Sequence, residues 1–371
     1  MAPRASLCYR SHPYRGGDVA KRGKAASPGV EAPALRGVTM RTIAERAGVS
    51  AMTVSRALKA DALVAKETRE RVLAVVRETG YLPDATARVF ATRRSGFVAV
   101  LVPALNHSNF ADTLHGMSEA FDPAGLQMLI GDTRYEPSRE EALIAEMLQR
   151  RPEAIVLTGG VHTARARAML LAAGAPIVET WDIPAEPLGS VVGFSNREAG
   201  AAMARYLHAR GRRRIGFIGG ATTRDSRGAR RREGFLQAMR DLGLPRARVV
   251  GIGPPPSSMS QGAEGLDLLI GQWPDTDAIV CVSDLLAFGV LSECQRRGID
   301  VPGRIALAGF GDFEVARCCH PRLTTIAVDC RGIGRRAAEI ALRALAARER
   351  GEDAAPETEI LDLTVIERET A

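Results

Sequence analysis

The 371 residues leave room for a small domain beside a large α/β region, and a hydrophobic fraction of 46% supports a sizeable core. The net charge of +7 is unevenly placed: through Ser95 the chain carries 18 Lys and Arg against 8 Asp and Glu, while the remainder carries 32 against 35, so the basic excess sits wholly at the N-terminal end and points to nucleic acid. No run reaches membrane-span length, no apolar secretory segment opens the chain, and the six cysteines show no zinc spacing, so a cytoplasmic protein with reduced thiols, no membrane partner, no metal and no cofactor is expected.

Residues 1–37 are rich in Arg, Gly, Pro and Ala without periodicity and read as a disordered basic extension. It either adds weak phosphate contacts or lies upstream of the true start; composition leaves both open. From Thr39 to Leu58 the chain spells two short amphipathic helices around a sharp turn. Ile43, Ala44 and Ala47 share one face, Gly48 suits a left-handed C-cap, and Ser50 suits the next N-cap. Val54, Ala57 and Leu58 form the second buried stripe. A helix-turn-helix lays such a second helix in the DNA major groove. Arg56 is expected to read guanine O6 and N7, and Ala51 and Met52 to meet thymine methyls. Ser50, Thr53 and Ser55 suit phosphates, and Thr39 joins the candidate contacts. A third helix begins near Lys66 with Val72, Val75 and Val76 inward, and Thr68 in its first turn is a further phosphate candidate. Gly80 ends it, closing an all-α headpiece over residues 38–83.

Residues 84–95 are helix-compatible but too short to be stable alone. From Gly96 the pattern becomes strand–helix alternation, which then restarts after residue 193. Strands are predicted at GFVAVLVPAL, QMLIGDT, AIVLTGG and PIVETWD, and again at RIGFIGG, VVGIG, DAIVCVSD and IALAGFGD. Two such halves imply two Rossmann-like lobes of parallel sheet with a cleft at the strand carboxyl ends.

The runs TIAERAGVS–TVSRAL and ETRERVLAVVRETGYLPDATAR resemble the DNA-binding headpiece of LacI/GalR-family bacterial regulators, and the likeness continues to near the C-terminus. It implies a helix-turn-helix headpiece joined to a two-lobed, periplasmic-binding-protein-like (type I) α/β core. Lobe 1 would take about 96–193 and 328–357, and lobe 2 about 194–327 and 358–371. It also implies that residues 84–95 are a hinge helix, with Arg88 on phosphates and Phe90, where the family usually has Leu, as the minor-groove wedge. A simple linker is the plainer reading. The implied partners are double-stranded operator DNA, a second copy of the chain in a homodimer, and a small-molecule effector in the inter-lobe cleft. No C-terminal heptads suggest a tetramer.

Strand ends supply the effector candidates: Phe110, His162, Glu179 and Asp182 on the first lobe, and Arg224, Arg231, Ser283 and Asp284 on the second. Arg231 opens RREGF, similar to the family's Arg-x-x-Gly-aromatic effector signature. Gly311 and Val328 stand where many members carry a ligand-binding Asp and Gln, which disfavours neutral sugars and purines. LTGGVHT, VET–D and the arginine cluster instead resemble the gluconate-responsive branch. A sugar acid suits Arg231, Arg224 and His162, because guanidinium binds carboxylate bidentately, while Glu179, Asp182 and Ser283 take hydroxyls. His162 could equally be a surface residue and Glu179 a member of an inter-lobe ion pair. The alternatives are a regulator with a different sugar or sugar-phosphate effector and, against the absence of GxGxxG, GxxxxGK[ST] and GxSxG spacings, a Rossmann-like enzyme.

Overall fold

The computed structural model describes residues 38–58, 64–82, 94–220, 224–244 and 248–371. The chain divides into two compact units, Met1–Ala85 and Thr86–Ala371.

The first unit contains α1 (Met40–Ala47), α2 (Ala51–Ala57) and α3 (Lys66–Thr79). Thr39 and Thr42 form a capping box: each side chain accepts from the other's backbone N–H, at 3.3 and 3.4 Å. Gly48 stops α1 at φ 64°, a conformation that disfavours side chains with a Cβ. Ser50 then caps α2 by accepting from Thr53 N at 3.1 Å. Ile43, Ala44, Ala47, Val54, Ala57 and Val72 close the small core. Tyr81, which periodicity did not place, joins it at 8% exposure. Arg46 on α1 pairs with Glu78 on α3 at 2.8 Å.

In the second unit, lobe 1 contains β1 (Phe97–Val102), α4 (Ser108–Phe121), β2 (Gln127–Asp132), α5 (Pro137–Gln149), β3 (Ile155–Thr158), α6 (Ala164–Ala173), β4 (Ile177–Thr180) and β5 (Ser190–Gly193). Lobe 2 contains α7 (Asn196–Ala209), β6 (Ile215–Gly220), α8 (Ser226–Asp241), β7 (Arg248–Ile252), α9 (Met259–Gln272), β8 (Ala278–Cys281), α10 (Asp284–Arg296), β9 (Ala306–Ala308) and α11 (Glu314–Cys318). The chain then runs through β10 (Thr325–Ala327), α12 (Cys330–Glu349), β11 (Thr358–Ile360) and β12 (Thr364–Ile366).

The lobe 1 sheet has the order β11-β5-β4-β3-β1-β2 and is parallel throughout; the lobe 2 sheet, also parallel, runs β7-β6-β8-β9. Strand β1 shows why the lobe 1 sheet is covered on both faces. Its Val98, Val100 and Val102 join one buried cluster, while Ala99 and Leu101 join another. Strand order reverses between β1 and β3 in one lobe and between β6 and β8 in the other. Those switch points put the loops that follow these strands beside the cleft.

Five elements had no counterpart in the predicted pattern: β5, α11, β10, the 20-residue α12 and β11. One boundary is corrected. Thr358–Ile360 pairs in parallel with Val191–Gly193 on the free edge of the lobe 1 sheet. The last crossing therefore lies beyond Ile360, not near 357, and only then does β12 pair antiparallel with β10.

Helices meet through glycines. On α4 and α12, a Cβ added at Gly116 would lie 2.0 Å from Arg331 O, and one at Gly334 would lie 1.9 Å from Thr113 O. On α7 and α8 the same holds for Gly200 against Arg231 O and Gly234 against Arg197 O, both at 1.8 Å. Helices α9 and α10 repeat the arrangement with Gly262 and Gly289. Each seam brings backbone against backbone, which any side chain would hold apart.

Candidate functional site

The loops after seven strands, with Ser257 after β7 among them, converge on a cavity between the lobes. Lobe 1 contributes His107, Asn109 and Phe110 after β1, Tyr135 after β2 and Trp181 after β4. Lobe 2 contributes Asp225, Arg227 and Arg231 after β6, Ser283 after β8, and Phe310 and Phe313 after β9. The walls are aromatic: Phe110 meets Trp181 edge-on at 5.3 Å, and Trp181 meets Phe194 at 5.9 Å. The free volume is about 40 Å³, well below the ~300–1,000 Å³ of ordinary ligand pockets. The cleft is closed.

Two guanidinium groups enter this apolar space. Arg227 lies over the Phe110 and Tyr135 rings, at 5.4 and 5.8 Å, and Arg231 lies over Phe310 at 4.3 Å. One carboxylate serves both: Asp225 is 4.0 Å from Arg227 Nε and 3.9 Å from Arg231 Nη2. Burial pulls the Arg231 pKa below its ordinary value. Arg231 Nη1 donates to Asn196 Oδ1 at 2.5 Å. Four buried polar atoms in the lining have no partner among the described residues: Arg227 Nη1, Arg231 Nε, Asn109 Oδ1 and Ser283 Oγ. Buried polar groups are ordinarily satisfied, so such a concentration marks a place built to receive hydrogen bonds. Burial raises the Tyr135 phenol to about 12 and lowers the His107 imidazole pKa. Both are therefore neutral at neutral pH, which leaves the lining charges as two cations against one anion.

The headpiece offers a separate surface. Ala51, Met52 and Arg56 are exposed on α2, Met52 to 64%, while Thr53 and Ser55 are half-buried. Thr39 and Ser50 are exposed N-cap residues, and Thr68 is half-buried in the first turn of α3. An oxygen that accepts a cap bond keeps its own O–H for donation, so capping does not remove Ser50 as a phosphate donor. Arg88 and Phe90 lie outside the described residues.

Residues 39–84 match the model for bacterial regulatory proteins of the lacI family, and residues 204–371 match a periplasmic binding protein-like domain. The chain is 40% identical over 311 residues to the HTH-type transcriptional regulator GntR of Pseudomonas aeruginosa, covering 84% of this chain and 90% of that protein. It is 34% identical over 325 residues to the regulator GntR of Escherichia coli K12, covering 87% and 95%. The chain belongs to the LacI family. A solved LacI-family regulator from Silicibacter pomeroyi superposes with a TM-score of 0.82 at 35% identity, covering 90% of this chain and 98% of that one. As a LacI-family member the chain is a ligand-responsive, DNA-binding transcription regulator rather than an enzyme. No helix among the described residues is long and apolar enough to cross a membrane.

Within this LacI-family cleft the predicted effector residues separate into two groups. Phe110, Arg231 and Ser283 line the cavity. The other five do not, and each has a reason. His162 is sandwiched between Glu140, 2.6 Å from Nδ1, and Glu179, 3.4 Å from Nε2, with its side chain 1% exposed. Glu179 is fully buried, and its Oε2 accepts from Leu188 N at 2.6 Å. These three side chains all belong to lobe 1, so no inter-lobe pair is formed, and none of them lines the cavity. Asp182 is engaged by Arg230 and Asn196. Asp284 is fully buried, accepting from Phe313 N at 2.8 Å and Thr325 Oγ1 at 2.6 Å. It anchors the start of α10 to the returning chain, and burial raises its pKa to about 6. Arg224 is half-exposed and sits 3.9 Å from Glu136.

Asn109 and Arg227 also follow strand ends but are not among the selected candidates. Tyr135, Trp181, Phe310 and Phe313 were missed. An aromatic just past each strand end was the available signal, most visibly Trp181 in VETWD and the phenylalanines of GFGDF.

Proposed function

We propose that this regulator is a cytoplasmic, homodimeric repressor of sugar-acid genes whose effector is a gluconate-like monocarboxylate held in the cleft. The observation that carries this reading is the pair of buried guanidinium groups beside one carboxylate, Asp225, with a donor on each left without a partner among the described residues. Burying a cation is costly unless an anion accompanies it. A ligand carboxylate supplies that anion and takes paired N–H donors from Arg227 and Arg231. Asn109 and Ser283 are then free to bond hydroxyls, and Phe110 and Trp181 to cover the carbon chain.

Ligand pockets ordinarily enclose ~300–1,000 Å³, so the closed cavity must widen to admit a six-carbon acid. The ligand thereby gains a difference in affinity between lobe arrangements, which allosteric control of DNA binding requires. The exposed face of α2 reads the operator, with Arg56 on a guanine and Ala51 and Met52 on thymine methyls. In a dimer two such helices meet a pseudo-palindromic site.

The test uses fluorescence anisotropy with the full chain on DNA from upstream of its own gene, with and without gluconate. A change in operator affinity of ~5–150-fold is expected for ordinary allosteric coupling. Unchanged affinity with gluconate and every other sugar acid would overturn the effector class. Equal binding to unrelated DNA would overturn the assignment of α2 as a reader of bases.

A further inference from the structure

Arg230 precedes the cavity arginine Arg231 on α8 but points elsewhere. Its Nη1 donates to Asp182 Oδ1 at 2.8 Å and to the Ile183 carbonyl at 3.2 Å. Asp182 follows β4 in lobe 1, whereas α8 belongs to lobe 2, so this bond crosses the cleft. Asp182 is 2% exposed, and its second oxygen has no partner among the described residues. Its Oδ1 also accepts from Asn196 Nδ2 at 3.2 Å. Asn196 in turn accepts from Arg231 at 2.5 Å. An unbroken row therefore runs Arg230, Asp182, Asn196, Arg231, from the outer side of the cleft to its lining.

Among the described residues Asn196 Nδ2 also donates across the lobes to the Trp181 carbonyl at 3.0 Å, and two further polar contacts join the lobes here. His107 Nε2 meets the Ser257 carbonyl at 3.2 Å, and Arg224 meets Glu136 at 3.9 Å with both side chains about half exposed. The second is a loose, solvated pair of little weight. The Arg230–Asp182 bond is short, charge-assisted and buried on its acidic side. It is the contact whose loss leaves a buried carboxylate held only by a neutral amide.

We propose that Arg230 is a positioning residue for effector binding. Resting on the reading of Arg231 as the anion-holding group, it fixes Asp182, through Asn196 orients the Arg231 fork, and ties the lobes together at this edge of the cleft. A fork already oriented does not spend ligand affinity on ordering it.

The experiment compares the full-length wild type with Arg230→Ala, Arg230→Lys, Asp182→Asn and the double variant Arg230→Ala/Asp182→Asn. Ligand-free hydrogen exchange is measured first. In Arg230→Ala, amides of residues 181–183 should exchange about tenfold faster while those of β3 do not change, since opening is local rather than global. Arg230→Lys should restore part of the protection. Calorimetry with gluconate comes second. Affinity should fall about tenfold in Arg230→Ala, with no further fall in the double variant, as expected when both changes break one interaction. Wild-type exchange at residues 181–183 in Arg230→Ala would overturn the tie between the lobes. Additive losses in the double variant would overturn the route through Asp182. Faster exchange in Arg230→Ala together with no gluconate binding by the wild type would support that tie and discard the gluconate reading alone.

Discussion

Replacing His162 by Gln tests the reassignment of this residue from ligand contact to internal brace. The imidazole sits between Glu140 on α5 and Glu179 on β4, with its side chain 1% exposed. Burial works against its protonation, but the two carboxylates outweigh burial and raise its pKa to about 9 from 6.5. A pKa raised on folding adds stability that is complete below the unfolded value and disappears as pH climbs through the folded value. At 1.36 kcal/mol per pH unit, the gap from 6.5 to about 9 corresponds to roughly 3 kcal/mol. Glutamine keeps an amide NH₂ as donor but no charge, so the variant should lose that contribution and its pH dependence together. The assay is urea unfolding of wild type and His162→Gln between pH 6 and 10, followed through Trp181 and Trp273. The difference between the two proteins should be roughly 3 kcal/mol near pH 6.5 and shrink steadily toward pH 10. Parallel curves, with a constant difference throughout, would refute the charged brace. Unimpaired gluconate affinity in His162→Gln near neutral pH should accompany the stability loss.

Arg231→Ala should leave operator affinity intact and blunt the effector response, read by anisotropy with and without gluconate; a full response would remove Arg231 from the site. Arg56→Ala should relax base preference at one operator position, costing ~1–3 kcal/mol there. Uniform weakening on every sequence would instead make Arg56 a phosphate contact. Gly200→Ala places a Cβ 1.8 Å from the Arg231 carbonyl. Forcing α7 and α8 apart should cost ~1–3 kcal/mol of stability and weaken the effector as well, measured by denaturation and calorimetry. Wild-type stability in that variant would show the seam to be soft.

Much of the fold could be read from the chain because it is written in local patterns. The headpiece announces itself through Thr39, Gly48, Ser50 and Gly80, each at a position whose backbone conformation or capping bond favours its residue type. The lobes announce themselves through β-branched runs separated by helices. What escaped was short or non-local. Strand β5 is four residues long and too brief to show a period. Strand β11 is placed by an edge contributed more than 160 residues earlier. The site was half legible for the same reason. Strand ends predict which residues lie near a crevice, and Phe110, Arg231 and Ser283 do line it. Which way a loop side chain turns depends on partners elsewhere in the sequence. Glu140 claims His162 from 22 residues away, and Thr325 claims Asp284 from 41. Arg227, only four residues from Arg231 on the same helix, shares its face and could have been inferred from that spacing.

The glycine seams restrict how an effector can act at all. Where two helix backbones rest directly on each other there is no layer of side chains to shear, so α7 cannot creep along α8, nor α4 along α12, without opening a gap. Relative motion is then directed toward the segments that pass between the halves. A molecule arriving at Arg231 pushes on α8 at the very residue whose carbonyl rests on Gly200, so α7 is the first element to feel it.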